Sequence, residues 1–207
     1  MDSAFDNQFM PELPEVEVTR LSLSDRLIGA SVLGVRVGKP LRWPLGCESS
    51  ELVGAHIAGL DRAGKYLWMT LVRDGVGCGG LLWHLGMSGS LRVLPHETEP
   101  GVHDHFELLT TAGRLRLTDP RRFGAVVWGP ARDLGMPGKL LARLGREPFD
   151  AALDGAALKR AWLGRRAAIK PTLMAGDVLV GAGNIYACEA LFRAGIDPRL
   201  PAGTLSA

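Results

Sequence analysis

Between residues 31 and 129 one pattern recurs: apolar runs of four to eight residues, each closed by a Gly-containing or polar turn. The runs are SVLGVRVG (31–38), HIAGL (56–60), KYLWMTLV (65–72), LLWHL (81–85), LRVL (91–94), HFELLT (105–110), RLRLTD (114–119) and GAVVW (124–128). They are too short for amphipathic helices and rich in β-branched and aromatic residues. Many short strands at this spacing predict a sandwich or barrel. DRAG (61–64) reads as a turn that leaves Lys65 to open the next strand, and the dipeptide AG (112–113) as a hairpin turn. With 27 Gly and 13 Pro but no G-x-y period, these residues serve as turn punctuation rather than a collagen repeat.

The pattern changes on both flanks. PEVEVTRLSLSDRLI (14–28) predicts a helix, because Pro suits its first turn and the acids Glu15 and Glu17 favour its N-terminus. Val16, Leu21, Leu27 and Ile28 would form its apolar stripe. After GPARD, segments 137–144, 156–163 and 184–194 read as helices joined by Gly and Pro. In the last, Ile185, Leu191 and Phe192 would line the buried face, with Gly195 at C′. The fold class expected is α+β: an N-terminal β-sandwich with a leading helix, then a helical part from about residue 131. So short a helical part struggles to bury a core alone.

Composition narrows the function classes. Hydrophobic residues at 46% against 22% charged exclude a disordered chain. No apolar run approaches the roughly 20 residues of a membrane span, and the acidic start MDSAFDNQF has no leader-like apolar stretch, so a cytoplasmic protein is expected. Cys47, Cys78 and Cys188 are odd in number, far apart and without C-x-x-C spacing, which argues against a disulfide framework or a Cys-rich zinc site. Net charge is +2, but it divides unevenly: residues 1–109 carry 9 Lys+Arg against 14 Asp+Glu, and residues 110–207 carry 15 against 8. A basic half suits a polyanionic partner, although an Arg-rich solvated surface would read the same way.

The candidate chemistry begins at PELPEVE (11–17). A helix-opening Pro with acids beside it is usually structural. Here Met10 precedes Pro11, so a chain starting at Met10 and losing Met would expose a secondary amine. An α-amine has a pKa near ~7.7–8 and keeps a useful neutral fraction at physiological pH. Such an amine attacks electrophilic carbon to form an iminium, and Glu12 would stand beside it as an acid/base. Lys65 alone is a strand-edge lysine, and Met87 in HLGMSGS alone is packing. His84 reads as a hydrogen-bonding strand residue. HDH places His103 and His105 on one strand face with Asp104 on the other; a metal there would lack further nearby ligands. Arg121 and Arg122 beside Phe123 suit phosphate contact and stacking. Arg165, Arg166 and Lys170 form a charge cluster. Asn184 follows Gly181 and Gly183 at a helix start, where it would be an N-cap or a phosphate ligand.

Taken in order, MPELPEVE, GKYL (64–67), HLGMSGSL (84–91), HDH (103–105), TDPRRFG (118–124), LGREP (144–148), AIKP (168–171) and GAGNIYACEALF (181–192) resemble the bacterial formamidopyrimidine-DNA glycosylase family, from Met10 to about Pro198. The sister endonuclease VIII type usually opens PEGPE, so PELPE favours the first. The resemblance implies a base-excision repair glycosylase and AP lyase that removes 8-oxoguanine or formamidopyrimidines from damaged double-stranded DNA. Strand cleavage would follow by β,δ-elimination. It makes Pro11 the Schiff-base nucleophile, Glu12 the acid that assists sugar opening, Glu15 a supporting carboxylate and Lys65 the general acid for elimination. It makes Met87, Arg121 and Phe123 fillers of the gap left by the flipped nucleotide, and His103, Arg121, Arg122, Arg165, Lys170 and Asn184 DNA contacts. The implied domains are a catalytic β-sandwich at 11–130 and a partial helix–two-turn–helix domain at 131–207, with 1–10 an N-terminal extension. A monomer without membrane contact is expected.

Two departures qualify the reading. With residues 1–10 attached, the Pro11 nitrogen is an amide and cannot form an iminium. The family's C-terminal four-cysteine zinc finger has no counterpart in this sequence, so no metal is expected and DNA binding should be weaker than in full-length relatives. A catalytically inactive, truncated remnant that at most binds DNA is the competing expectation.

Overall fold

The structure, a computed structural model, describes residues 10–205; the expected N-terminal extension lies outside them, Met10 excepted. Helix α1 (Leu13–Leu27) opens on Glu12, whose backbone N–H donates to Glu15 Oε2 at 3.0 Å, and carries Pro14 in its first turn. Pro is tolerated there because its missing N–H has no intrahelical partner to lose. The buried stripe is Leu13, Val16, Leu23 and Leu27. Of the expected stripe, Leu21 and Ile28 are instead exposed. They fall on the solvent side of the 3.6-residue period once Val16 and Leu23 face the sheet.

Eight strands follow: β1 (Val32–Val37), β2 (His56–Ala63), β3 (Tyr66–Arg73), β4 (Val76–His84), β5 (Ser90–Leu94), β6 (Asp104–Thr110), β7 (Gly113–Thr118) and β8 (Ala125–Gly129). They form two antiparallel four-stranded sheets, ordered β1-β6-β7-β5 and β2-β3-β4-β8. The inner faces share one apolar core that includes Leu67, Met69, Leu81, Leu108, Leu115 and Leu117. Trp83 of β4 meets Phe106 of β6 edge-to-face at 5.3 Å between ring centroids, joining the two sheets. This is the expected sandwich with a leading helix.

Two turns differ from expectation. DRAG is not a turn: Asp61, Arg62 and Ala63 pair with Trp68, Leu67 and Tyr66, so the reversal falls on Gly64-Lys65. Gly64 has φ +55°, which it adopts without a Cβ penalty. Lys65 therefore lies in the turn rather than opening the strand. In the β6–β7 hairpin Thr110 pairs with Gly113, so Thr111-Ala112 make the turn.

The remaining helices are α2 (Gly135–Leu141), α3 (Gly155–Trp162), α4 (Ile169–Met174) and α5 (Asn184–Arg193). Asp154 caps α3 by accepting from the Ala157 N–H at 2.6 Å. Six-residue α4 carries Pro171 in its first turn and is too short to give a periodic signal. Gly195 ends α5 as expected: its N–H donates to Phe192 O and that of Ile196 to Leu191 O, a Schellman closure. The buried face of α5 is Ala187 and Leu191. Ile185 and Phe192, expected on that face, are both exposed, Phe192 by 84%. This helical part has a small core of its own around Trp162, Ile169, Leu191 and Ala202. No helix among the described residues is long and apolar enough to cross a membrane.

Candidate active site

The first residues of α1 meet the second part of the chain. Glu12 is 1% exposed. Its carboxylate accepts the backbone N–H of Gly183 at 2.7 Å, Ile185 at 2.7 Å and Tyr186 at 3.1 Å. These are the free donors at the start of α5. The positive end of a helix is a natural seat for a carboxylate. Two glycines make the approach possible. A Cβ at Gly183 would lie 2.5 Å from Glu12 Cδ, and one at Gly181 would lie 2.4 Å from Leu13 Cδ1. The Leu13 N–H also donates to Gly181 O at 3.1 Å. Gly183, not Asn184, is the N-cap; Asn184 is the first helical residue and is exposed.

Pro11 and Glu15 line a cleft of about 340 Å³ whose other wall is Leu85 and residues Gly89–Arg92. Lys65 is half-buried at the β2–β3 turn. Burial pulls its pKa down, against the opposing pull of the Glu12 and Glu15 carboxylates. The turn is held from two sides. Glu147 accepts the Gly64 N–H at 2.7 Å and an Arg62 N–H at 2.7 Å, and Arg62 also donates to Glu17 at 2.8 Å. Sequence reasoning missed this Glu17–Arg62–Glu147 bridge. Its members lie far apart in the chain and have no motif in common.

Two further turns border the same region. Met87, partly exposed, sits on the turn between β4 and β5, and Phe123 on the turn before β8. The Arg121 guanidinium lies 4.9 Å from the Phe123 ring centroid. Arg122 is exposed and takes φ +56°. His103 is exposed in the turn before β6, while His105 is buried inside that strand. The expected shared face therefore fails, because His103 precedes the strand and the register shifts between Asp104 and Phe106. Asp104 is tied down instead, accepting from the Gly101 N–H at 2.6 Å and pairing with Arg116. Arg165 pairs with Asp177 at 2.6 Å, Arg166 is exposed, and Lys170 is half-buried in α4. Pro11 and Glu15 thus line one cleft, with Met87 on the turn that closes one wall of it, and the Glu12 and Glu15 carboxylates are near enough to act on the Lys65 ammonium. Arg165 is held in a separate surface ion pair.

His84 Nδ1 accepts the Gly86 N–H at 3.0 Å, the hydrogen-bonding role expected of it. Burial, with Arg42 and Lys65 nearby, lowers its pKa to about 4. A base whose folded pKa lies below its unfolded value destabilises the fold as pH falls between the two. Urea unfolding at pH 7 and at pH 4.5 should therefore show a loss to which His84 contributes about 2 kcal/mol, a share that His84→Asn removes. An equal loss in that variant would disprove the assignment.

Among the described residues no group of three or more His, Cys, Asp or Glu side chains is placed to hold a metal ion. Cys47 packs against the sandwich core, Cys78 lies on β4 and Cys188 is exposed on α5. These positions do not fit a four-cysteine zinc site.

Comparison with known proteins places this arrangement. Residues 10–126 match the formamidopyrimidine-DNA glycosylase N-terminal domain, and residues 144–207 match the formamidopyrimidine-DNA glycosylase H2TH domain. The chain is 55% identical over 201 residues to a formamidopyrimidine-DNA glycosylase of Albidiferax ferrireducens, covering 95% of this chain and 71% of that protein. It is 52% identical to one from Polaromonas naphthalenivorans with the same coverage. Among solved structures it superimposes on Lactococcus lactis Fpg (MutM) in complex with DNA containing an oxidised pyrimidine. The TM-score is 0.84 and identity 31%, covering 95% of this chain and 73% of that one. A second Lactococcus lactis structure, non-covalently bound to DNA containing an AP site, gives a TM-score of 0.83 at 30% identity, covering 94% and 74%.

Proposed function

Because this chain belongs to the formamidopyrimidine-DNA glycosylase family of base-excision repair enzymes, we propose that it excises oxidised purines, 8-oxoguanine and formamidopyrimidines, from duplex DNA through an iminium at Pro11. The observation that carries this is that Pro11 and Glu15 line one cleft, with Glu12 seated on the α5 N-terminus and both carboxylates acting on the Lys65 ammonium.

The Pro11 amine attacks C1′ of the damaged nucleotide as the C1′–N bond to the base breaks, and the base leaves as an anion that takes a proton from water. Glu12 takes the proton that the amine gives up and passes it to the ring oxygen as the sugar opens. Its seat on α5 fixes the carboxylate on the residue next to Pro11. Lys65, its ammonium made more acidic by burial, supplies and removes protons during β-elimination, and δ-elimination follows on the same imine. The target sugar is reached only when its nucleotide leaves the stack. Met87, Arg121 and Phe123 fill the gap it leaves, as apolar wedges do elsewhere. His103, Arg122, Lys170 and Asn184 contact the phosphates, and Arg165 joins them by leaving Asp177.

Met10 acylates Pro11 in the polypeptide as given, and this one fact favours a second reading, a DNA-binding protein without chemistry. Release of free 8-oxoguanine and formamidopyrimidine from duplex DNA, measured for the whole polypeptide beside protein whose first residue is Pro11, separates the two. Base release supports excision, and binding without release supports the second reading.

A further inference from the structure

Met87 and Phe123 stand on different turns, yet the two turns touch backbone to backbone. A Cβ built on Gly86 would lie 2.6 Å from Phe123 C and 2.6 Å from Gly124 N. Asp119 sits beneath both turns and is 0% exposed. Its Oδ1 accepts the Ser88 hydroxyl at 2.7 Å and the Arg121 N–H at 3.3 Å, and its Oδ2 accepts the Gly124 N–H at 2.7 Å. Its own N–H donates to His103 O at 2.8 Å. Among the described residues no lysine or arginine pairs with this carboxylate, so it binds only the turns.

A buried carboxylate without a cation costs free energy unless hydrogen bonds satisfy it. All its donors come from the Met87 turn and the Arg121–Gly124 turn. Moving either turn alone would strip a donor from a buried charge, so the two turns move together or not at all.

We propose that Asp119 is the positioning residue that locks the Met87 turn to the Arg121–Phe123 turn, so that the three side chains enter DNA as one rigid wedge. The proposal rests on the gap-filling role given to those residues above. Asp119 touches no reacting atom. It acts through Ser88 on one side and the Arg121 and Gly124 amides on the other.

The test has two arms, both on the full chain. In the first, without DNA, the Gly124 amide is followed by nitrogen–proton correlation spectra and hydrogen exchange. Ser88→Ala, which removes one hydroxyl from the opposite turn, should shift this amide and raise its exchange about fivefold. In the Asp119→Asn background the same Ser88→Ala change should move it no further. In the second arm the duplex carries a tetrahydrofuran abasic analogue, which needs no chemistry at Pro11, beside 2-aminopurine. Asp119→Asn and Ser88→Ala should each reduce the fluorescence rise that reports unstacking by about fivefold. Affinity for undamaged duplex at the same salt should stay within about twofold. Adding Met87→Ala should cost little more in either variant, because the wedge is already misaligned.

An unmoved Gly124 amide in Ser88→Ala overturns the coupling. So does an unstacking signal unchanged in both variants. If the unaltered chain gives no fluorescence rise, the lesion-binding reading fails, and the first arm alone decides whether Asp119 couples the turns.

Discussion

Protein whose first residue is Pro11 is expected to be captured on an 8-oxoguanine duplex by borohydride, with the adduct on the Pro11 nitrogen. The same chain with Met10 retained is expected to give none. The contrast follows from bond order at one atom. A free secondary amine has a lone pair to donate to C1′, whereas the Met10–Pro11 amide delocalises that pair into the carbonyl. The trapped fraction should fall by about a thousandfold or more, because loss of a nucleophile removes the covalent route altogether. Peptide mass mapping reads the site. An adduct on Lys65, or equal capture with residues 1–10 still attached, would remove Pro11 from its proposed role.

Glu12→Gln should damage both the fold and the chemistry. Gly183 and Tyr186 both donate to Glu12 Oε2, and Ile185 donates to Oε1. An amide offers one acceptor oxygen and turns an N–H₂ toward the rest, so buried backbone donors lose their partner. That should cost about 2–4 kcal/mol, or roughly 5–15 °C in the unfolding midpoint of a chain of this size. Gly183→Ala should act on the same contact from the other side, because its methyl would enter the space of the Glu12 carboxylate. Thermal unfolding reads the stability, and exchange of the Ile185 and Tyr186 amides reads the contact. Base release should fall in both variants, since each displaces the carboxylate that serves Pro11. A midpoint and amide exchange unchanged in Glu12→Gln would mean that the α5 N-terminus does not hold this side chain.

Local signals carried the sandwich. Each strand between Val32 and Gly129 announced itself by a short apolar run and a turn, because both are decided within a few residues. The same locality explains the errors. In α1, Leu21 and Ile28 are as apolar as Leu23 and Leu27, and only the position of the sheet chooses between them. In DRAG, turn-forming residue types were overruled by pairing with β3, which placed the reversal two residues later and put Lys65 in the turn. The Asp-Pro step at Asp119 carried a turn signal in sequence, since Asp often bonds the backbone two residues on. Its second partner, Ser88, lies 31 residues away and carried no such signal.

By itself the sequence determined the strand-rich half, the leading helix, the cap at Gly195 and the residue types able to do the chemistry. Tertiary structure decided which of them meet. Glu12 finds its partners 171 to 174 residues downstream, and Glu147 reaches the Lys65 turn across 83. Secondary structure is set by interactions a few residues long, so its pattern is written along the chain. A buried carboxylate is satisfied by whichever donors folding brings to it, and no local pattern records where they come from.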